Sequence, residues 1–287
     1  SDLISGISVQ KSYTPDLPGD FSGGAVRLTS RSIPEKLSGD FSIATGGNHR
    51  STFADGFTHA GGDYDWAGFD DGDRDIPDVA DALSDGGQTP LSSLDDADRQ
   101  AVARSLIDDF GFNLRGFELP ADLDIDFTLS NRFELGETDL GVSVAGLYDS
   151  EWRYVEEQRA EILADASGSE FVGESSALER TENDIMAGAI LNATADIGFN
   201  HTLTFTSLLS RESRKGTFFE QGFNRSDDRD FRRVILEFTE SELFSNQISG
   251  FHQLPDLLDS TVEWQATYST AERDEPGTRE YVYSRPQ

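Results

Sequence analysis

Cysteine is absent from the 287-residue sequence, and methionine occurs once. A disulfide framework, a thiolate metal centre and a cysteine nucleophile are thereby excluded together. Basic residues are scarce as well: 23 Lys and Arg stand against 54 Asp and Glu, a formal net charge of −31 at pH 7. Phosphate backbones are held by basic footprints, so nucleic acid is not a partner for such a surface. Missing too is any apolar run long enough for a membrane-spanning helix. That absence leaves a membrane β-barrel untouched, because barrel strands are apolar on one face only. What the sequence does contain, 36% hydrophobic and 10% aromatic residues, is too rich for a disordered polyanion.

Neither end carries a boundary signal. No charged n-region with an apolar h-region opens the chain at Ser1, and Arg279–Ser284 alternates like a strand with no turn after it. The expectation is a fragment of a longer architecture.

Between the ends, period-two alternation dominates. Two short strands, Ile7–Lys11 and Ala25–Arg31, flank a corner rich in Pro and Gly, with Gly23-Gly24 where backbones approach closely, and Pro34 ends the unit. Leu37–Ala44 alternates and leads into a long polar tract from Gly46. Leu123, Ile125, Phe127 and Leu129 are apolar while Asp124, Asp126, Thr128 and Ser130 fill the positions between, which describes one greasy and one wet face. The pattern recurs at Leu140–Tyr148, Ile185–Ile197 and Leu203–Leu209, then from Val234 and from Val262, giving about seven strands. Short turns fall at Gly136-Glu137, Gly198-Phe199-Asn200 and Pro255-Asp256. The other intervals are long, at about 75, 30 and 18 residues with uncertain ends. This rhythm is that of an outer-membrane barrel, tight on the periplasmic side and long on the outer side, and it turns Ile125, Ala189 and Trp264 toward lipid. In the first long connection, Ser93 with Asp96 resembles a capping box, and Val102, Leu106 and Phe110 recur at helical spacing. A short helix ending near Gly111 is predicted.

The stretches Ile7–Lys11 and Asp16-Leu17-Pro18-Gly19-Asp20-Phe21-Ser22-Gly23-Gly24-Ala25-Val26-Arg27-Leu28-Thr29-Ser30-Arg31 resemble the end of the plug domain of TonB-dependent outer-membrane receptors. The plug motif in this chain is Pro18, Gly19, Asp20, Ser22, Gly23 and Gly24. Asp65–Arg74 and Asp274–Arg279 are similar to recurrent barrel sequences of one large subgroup. The resemblance implies an all-β chain: residues 1–34 as the C-terminal end of a plug, and residues 35–287 as the N-terminal part of a transmembrane antiparallel barrel. About seven strands of an expected 22 would be present, with the short helix in the first extracellular loop. It also implies residence in the outer membrane of a Gram-negative bacterium, in contact with lipid and lipopolysaccharide. The implied activity is import of a scarce solute, whether siderophore-iron, cobalamin or an oligosaccharide, with energy from the TonB-ExbB-ExbD complex and no chemistry on the solute. A reading from another class stands beside it, a secreted acidic β-rich adhesin or carbohydrate-binding module. That reading accounts for the charge and the strands, but not for the plug-like stretch or the rhythm of the connections.

Candidate sites are few. The acidic stretch Asp63–Asp75 invites calcium but lacks EF-hand spacing, and a solvated or lipopolysaccharide-facing loop is the alternative. Asp65, Trp66, Phe69, Asp70, Asp71 and Arg74 are candidates for contacting solute at the outer mouth. The competing reading is local packing, with Arg74 neutralising its neighbours. Gly23-Gly24 lacks the Lys-Ser/Thr pair of a phosphate loop. His49, His59, His201 and His252 show neither metal-ligand nor triad spacing and are expected at surfaces or interfaces. No catalytic residue, metal or cofactor is expected. Tyr148, Trp152, Tyr268, Tyr281 and Tyr283 are expected in interfacial girdles.

Overall fold

A computed structural model of the chain describes residues 4–10, 25–30, 34, 36–110, 114–164, 167–225 and 227–286. β1 (Ile4–Gln10) and β2 (Ala25–Ser30) pair antiparallel as a sheet of their own. The plug-motif residues Pro18, Gly19, Asp20, Ser22, Gly23 and Gly24 lie outside the described residues. After β3 (Ser38–Gly46), the long connection holds β4 (Asp55–Thr58), α1 (Asp78–Ser84), α2 (Asp96–Phe110) and β5 (Arg115–Glu118), with β4 paired to β5. Then come β6 (Asp122–Leu135), β7 (Thr138–Ala164), β8 (Glu170–Ile197), β9 (His201–Asn224), β10 (Arg229–Leu254), β11 (Ser260–Asp274) and β12 (Arg279–Pro286).

These strands form one antiparallel sheet in the order β3-β6-β7-β8-β9-β10-β11, so that after β3 every strand lies beside its neighbour in sequence. β12 continues β11 along the same edge of β10, since Asp274 pairs with Glu240 and Arg279 with Leu236. Seven strand lines result, in agreement with the alternation. Gly136, at φ +70°, opens the two-residue turn between Leu135 and Thr138, where a right-twisted hairpin requires a positive φ. This turn, the turn at Gly198 and the turn at Pro255–Asp259 all lie at one end of the sheet.

At the other end the sequence reading needs correction. The intervals of about 30 and 18 residues are not loops: β7 and β8 pair out to Ala164 and Glu170, and β9 and β10 out to Asn224 and Arg229. Apolar alternation marks only strands with one greasy face, and here polar and charged residues stand on both faces and interrupt it. Cross-strand ion pairs such as Arg153 with Glu182 (3.7 Å) and Arg214 with Asp184 (2.6 Å) lace the extension instead. Only the first connection is long. Its helix α2 is also capped differently: Asp95 Oδ1 accepts the Asp98 N–H at 2.9 Å, whereas the Ser93 hydroxyl donates to the Pro90 carbonyl. Asp95 competes successfully because it stands directly before the helix.

Cross-strand partners point to the same side of a sheet. Following them from β6 to β11 sorts the side chains into two faces. One carries Ile125, Tyr148 and Ala187 in one row, then Phe127, Gly146, Ala189, Leu209 and Phe244, and further down Phe133, Leu140, Ala195, Leu203 and Trp264. No charged side chain occurs on this face from the row of Ala189 to the row of Ile197. The opposite face carries Asp124, Asp126, Thr128, Asp139, Asn192, Thr194 and Thr204. Expected lipid-side residues Ile125, Ala189 and Trp264 therefore share one face.

Farther along the strands, beyond Tyr148, that same face is no longer open. The first connection lies on it, and Phe219, Val234 and Leu236 form a core with Phe57, Leu114 and Tyr281. Leu119 and Phe238 are buried there as well. β3 and the β11–β12 line are left with one unpaired edge each among the described residues. Open edges template further pairing, so the chain is expected to aggregate in plain buffer and to become monodisperse in detergent, which size-exclusion chromatography with light scattering checks.

Candidate functional site

The residues singled out in the first connection converge on the sheet, although they are far apart in sequence from what they touch. Two close approaches make this possible. Gly56 is buried against Thr181 and Leu119, and a Cβ there would stand 2.5 Å from the Thr181 hydroxyl. Gly68, at φ +77°, sits against Ser213 and Ile185. A larger residue at either place would lift the connection off the strands.

Arg74 occupies the centre, its side chain only 4% exposed. Its guanidinium donates to both oxygens of Asp65 at 2.6 Å and to Asp70 at 2.7 Å, and stacks 3.9 Å from the ring centroid of Phe238 on β10. Lys215 on β9 donates to Asp65 at 2.7 Å. The Asp70 N–H donates to Glu240 at 3.0 Å, and Arg211 bridges the same carboxylate at 2.9 Å to Glu242. Buried charges survive only when paired, and this cluster pairs them by alternating signs across connection and sheet, with the Nε–H groups of Arg74 and Arg211 left without an acceptor among the described residues. The stretches Asp65–Arg74 and Asp274–Arg279 meet here: Gly277 packs against the Arg74 carbonyl.

Of the expected solute contacts, Asp65, Asp70 and Arg74 thus spend their charge on one another and on β9 and β10. Asp71 is exposed and accepts the Asp63 N–H at 2.8 Å. Trp66 and Phe69 are also exposed, with Phe69 under the guanidinium of Arg211 at 3.7 Å. All lie on the side of the sheet that carries the apolar rows. Among the described residues no group of three or more His, Asp or Glu is arranged to hold a metal ion.

Several participants escaped the sequence reading, namely Lys215, Arg211, Glu240, Phe238 and His59. A signal existed for the first two. In β9, Leu203, Phe205 and Leu209 are followed on the same face by Arg211 and Lys215, which announces that the face changes its surroundings there. His59, expected at a surface or an interface, is 5% exposed between the connection and the sheet and shares a 2.8 Å hydrogen bond with the Thr217 hydroxyl. Burial pushes its pKa down to about 3, and the neighbouring cations Lys215, Arg74 and Arg279 add to the effect. His201 and His252 pair across β9 and β10 at 3.1 Å, and Trp264 donates to His252 at 3.0 Å. Of the expected girdle, only Tyr148 stands where the connection meets the open apolar rows. Trp152 is covered, 5.0 Å from the ring of Phe117, Tyr268 lies within the apolar rows, and Tyr281 and Tyr283 pack together farther out.

Compared with known proteins, the chain matches no family model, no curated protein and no solved structure.

Two outcomes follow from the cluster. Replacing Arg74 by Met removes the ion-pair partner of Asp70 and leaves Asp65 to Lys215, a cost of about 3–5 kcal/mol if the Asp70 carboxylate stays buried. Local opening caps that cost, so amides of residues 55–75 should lose protection in hydrogen exchange while those of β7 to β10 keep theirs. His59 is neutral when folded and titrates at its ordinary value of about 6.5 when unfolded. The folded connection is then fully stable above pH 6.5 and loses up to about 1.4 kcal/mol per unit as pH falls from 6.5 toward 3. His59→Gln should flatten this dependence, read by hydrogen exchange of the same segment at pH 7 and pH 4.

Proposed function

We propose that the chain is part of an outer-membrane receptor of the TonB-dependent type, importing a scarce solute with energy from TonB-ExbB-ExbD. One observation carries the membrane part of this reading, the charge-free apolar face. From Ala189 to Ile197 the strand advances about 26 Å at about 3.3 Å per residue. A barrel tilt of about 40° reduces this to about 20 Å, most of the roughly 25 Å height of the lipid-facing band of such barrels. A water-soluble sheet would have to cover a face of that kind, as this sheet does farther along with its first connection. Strands supply the crossing here; no helix among the described residues is long and apolar enough to do so.

The remaining parts rest on the plug-like stretch Asp16–Arg31 and on the chemistry of the opposite face. That face, with Asp124, Asp126, Asp139, Asn192 and Thr204, suits a wet lumen in which a solute exchanges hydration for protein hydrogen bonds. Solute binds at the outer mouth, TonB-driven rearrangement of the plug opens the passage, and the solute leaves unchanged. Siderophore-iron, cobalamin and oligosaccharides all remain compatible with such a surface.

Fractionation of cells producing the intact protein is the direct test: recovery with outer-membrane markers is expected, and recovery solely in the soluble fraction would overturn the proposal. A finer test uses the two faces. Ile248→Arg places a charge in the middle of the apolar band and should cost about 2–4 kcal/mol of folding stability in liposomes. Ser249→Arg, one residue on and facing the lumen, should cost far less. Urea titration of both variants measures the difference.

A further inference from the structure

Three large aromatic side chains stand in the open at the line where the apolar band meets the covered part of the sheet. Tyr64, Trp66 and Phe69 are 57%, 66% and 43% exposed, although the segment that carries them is fixed by the Arg74 cluster and the buried Gly68. Their level on the sheet is set by three contacts. The Trp66 carbonyl accepts the Tyr148 hydroxyl at 2.6 Å. Gly68 rests on Ile185 and Ser213. Phe69 lies under Arg211. Tyr148, Ala187 and Arg211 are cross-strand partners, and the next row down is Gly146, Ala189 and Leu209, where the charge-free band begins. The turn Asp65–Ala67 therefore sits on the upper margin of the band, on its own side of the wall.

Trp and Tyr concentrate at membrane–water interfaces because their rings are apolar with one polar edge. Resting on the membrane reading above, we infer that this turn is a lipid anchor: Trp66 and Phe69 enter the boundary between headgroups and acyl chains of the outward leaflet. The first connection then lies outside the barrel wall as an apron over the strands. Its acidic residues face the headgroup layer and water, and the lumen is left to the opposite face. Solute contact at the mouth by Trp66 and Phe69 is the competing occupancy.

The chain contains three tryptophans, Trp66, Trp152 and Trp264, at three useful places. Trp66 is on the margin, Trp152 is beneath the connection near Phe117, and Trp264 is in the apolar band. Full-length chains keeping one Trp each, the others changed to Phe, are reconstituted into phosphatidylcholine vesicles with lipids brominated either near the glycerol or near the chain end. The expected result is loss of Trp264 emission, loss of Trp66 emission that is greater with the shallow bromines, and little change for Trp152. Quenching of Trp264 without quenching of Trp66 would overturn the anchor and leave the membrane reading standing. Stronger quenching of Trp66 by deep bromines would also overturn its place at the margin. Absence of quenching at both Trp264 and Trp66 would overturn the membrane reading together with the inference.

Discussion

One register, held without a slip across the lower part of every strand pair from β6 to β11, is the constraint on which the rest of the molecule depends. Side chains alternate with period two, so a slip by one residue would send Asp124, Asp126 and Asp196 to the apolar face and Ile125, Leu191 and Phe205 to the polar one. Both errors are expensive wherever one face is dry. Tight turns at Gly136 and Gly198 fix the register locally, and the apolar rows enforce it over the whole width of the sheet.

The same face serves two surroundings along its length. Near the tight turns it is open and free of charge, which suits lipid. From the row of Tyr148 onward it acquires Arg211, Lys215, Glu240 and Thr217, and the first connection supplies Asp65, Asp70, Arg74 and His59 to meet them. Hydrophobic burial alone does not hold the connection, because its apolar contacts with the sheet form a small core around Phe57 and Leu119. Charge pairing in a dry setting specifies where it docks, since any displacement would leave a buried carboxylate or guanidinium unpaired. Docking in turn fixes the turn of Trp66 at the margin of the band, so sheet register, ion cluster and the level of the aromatic rings form a single chain of dependence.

How much of this could be read in advance differs by element. The strand faces at Leu123–Leu129 and Ile185–Ile197 were legible, because one apolar face writes itself into the sequence. The outer halves of β7 to β9 and the first residues of β10 were not, because a strand interrupted by polar residues on both sides looks like a polar loop; only pairing with its neighbours reveals it. Arg74 neutralising its acidic neighbours was an available reading, but Lys215 and Glu240, the sheet partners of Asp65 and Asp70, stand more than a hundred residues away, beyond any local pattern. His59 shows the same limit in its sharpest form, a residue with no distinguishing neighbours that becomes buried and loses its ordinary basicity.

By itself the sequence determined the class of the chain: cysteine-free, strongly acidic, built from alternating strands too polar for a membrane helix. It also determined which side chains share a face, because strand periodicity is a local property of the backbone. Only the tertiary structure decided where that face stays open and where it is covered, which carboxylates are paired and which are free, and at what level Trp66 stands. Those are questions of proximity between distant segments, and proximity is set by long-range pairing and buried charge.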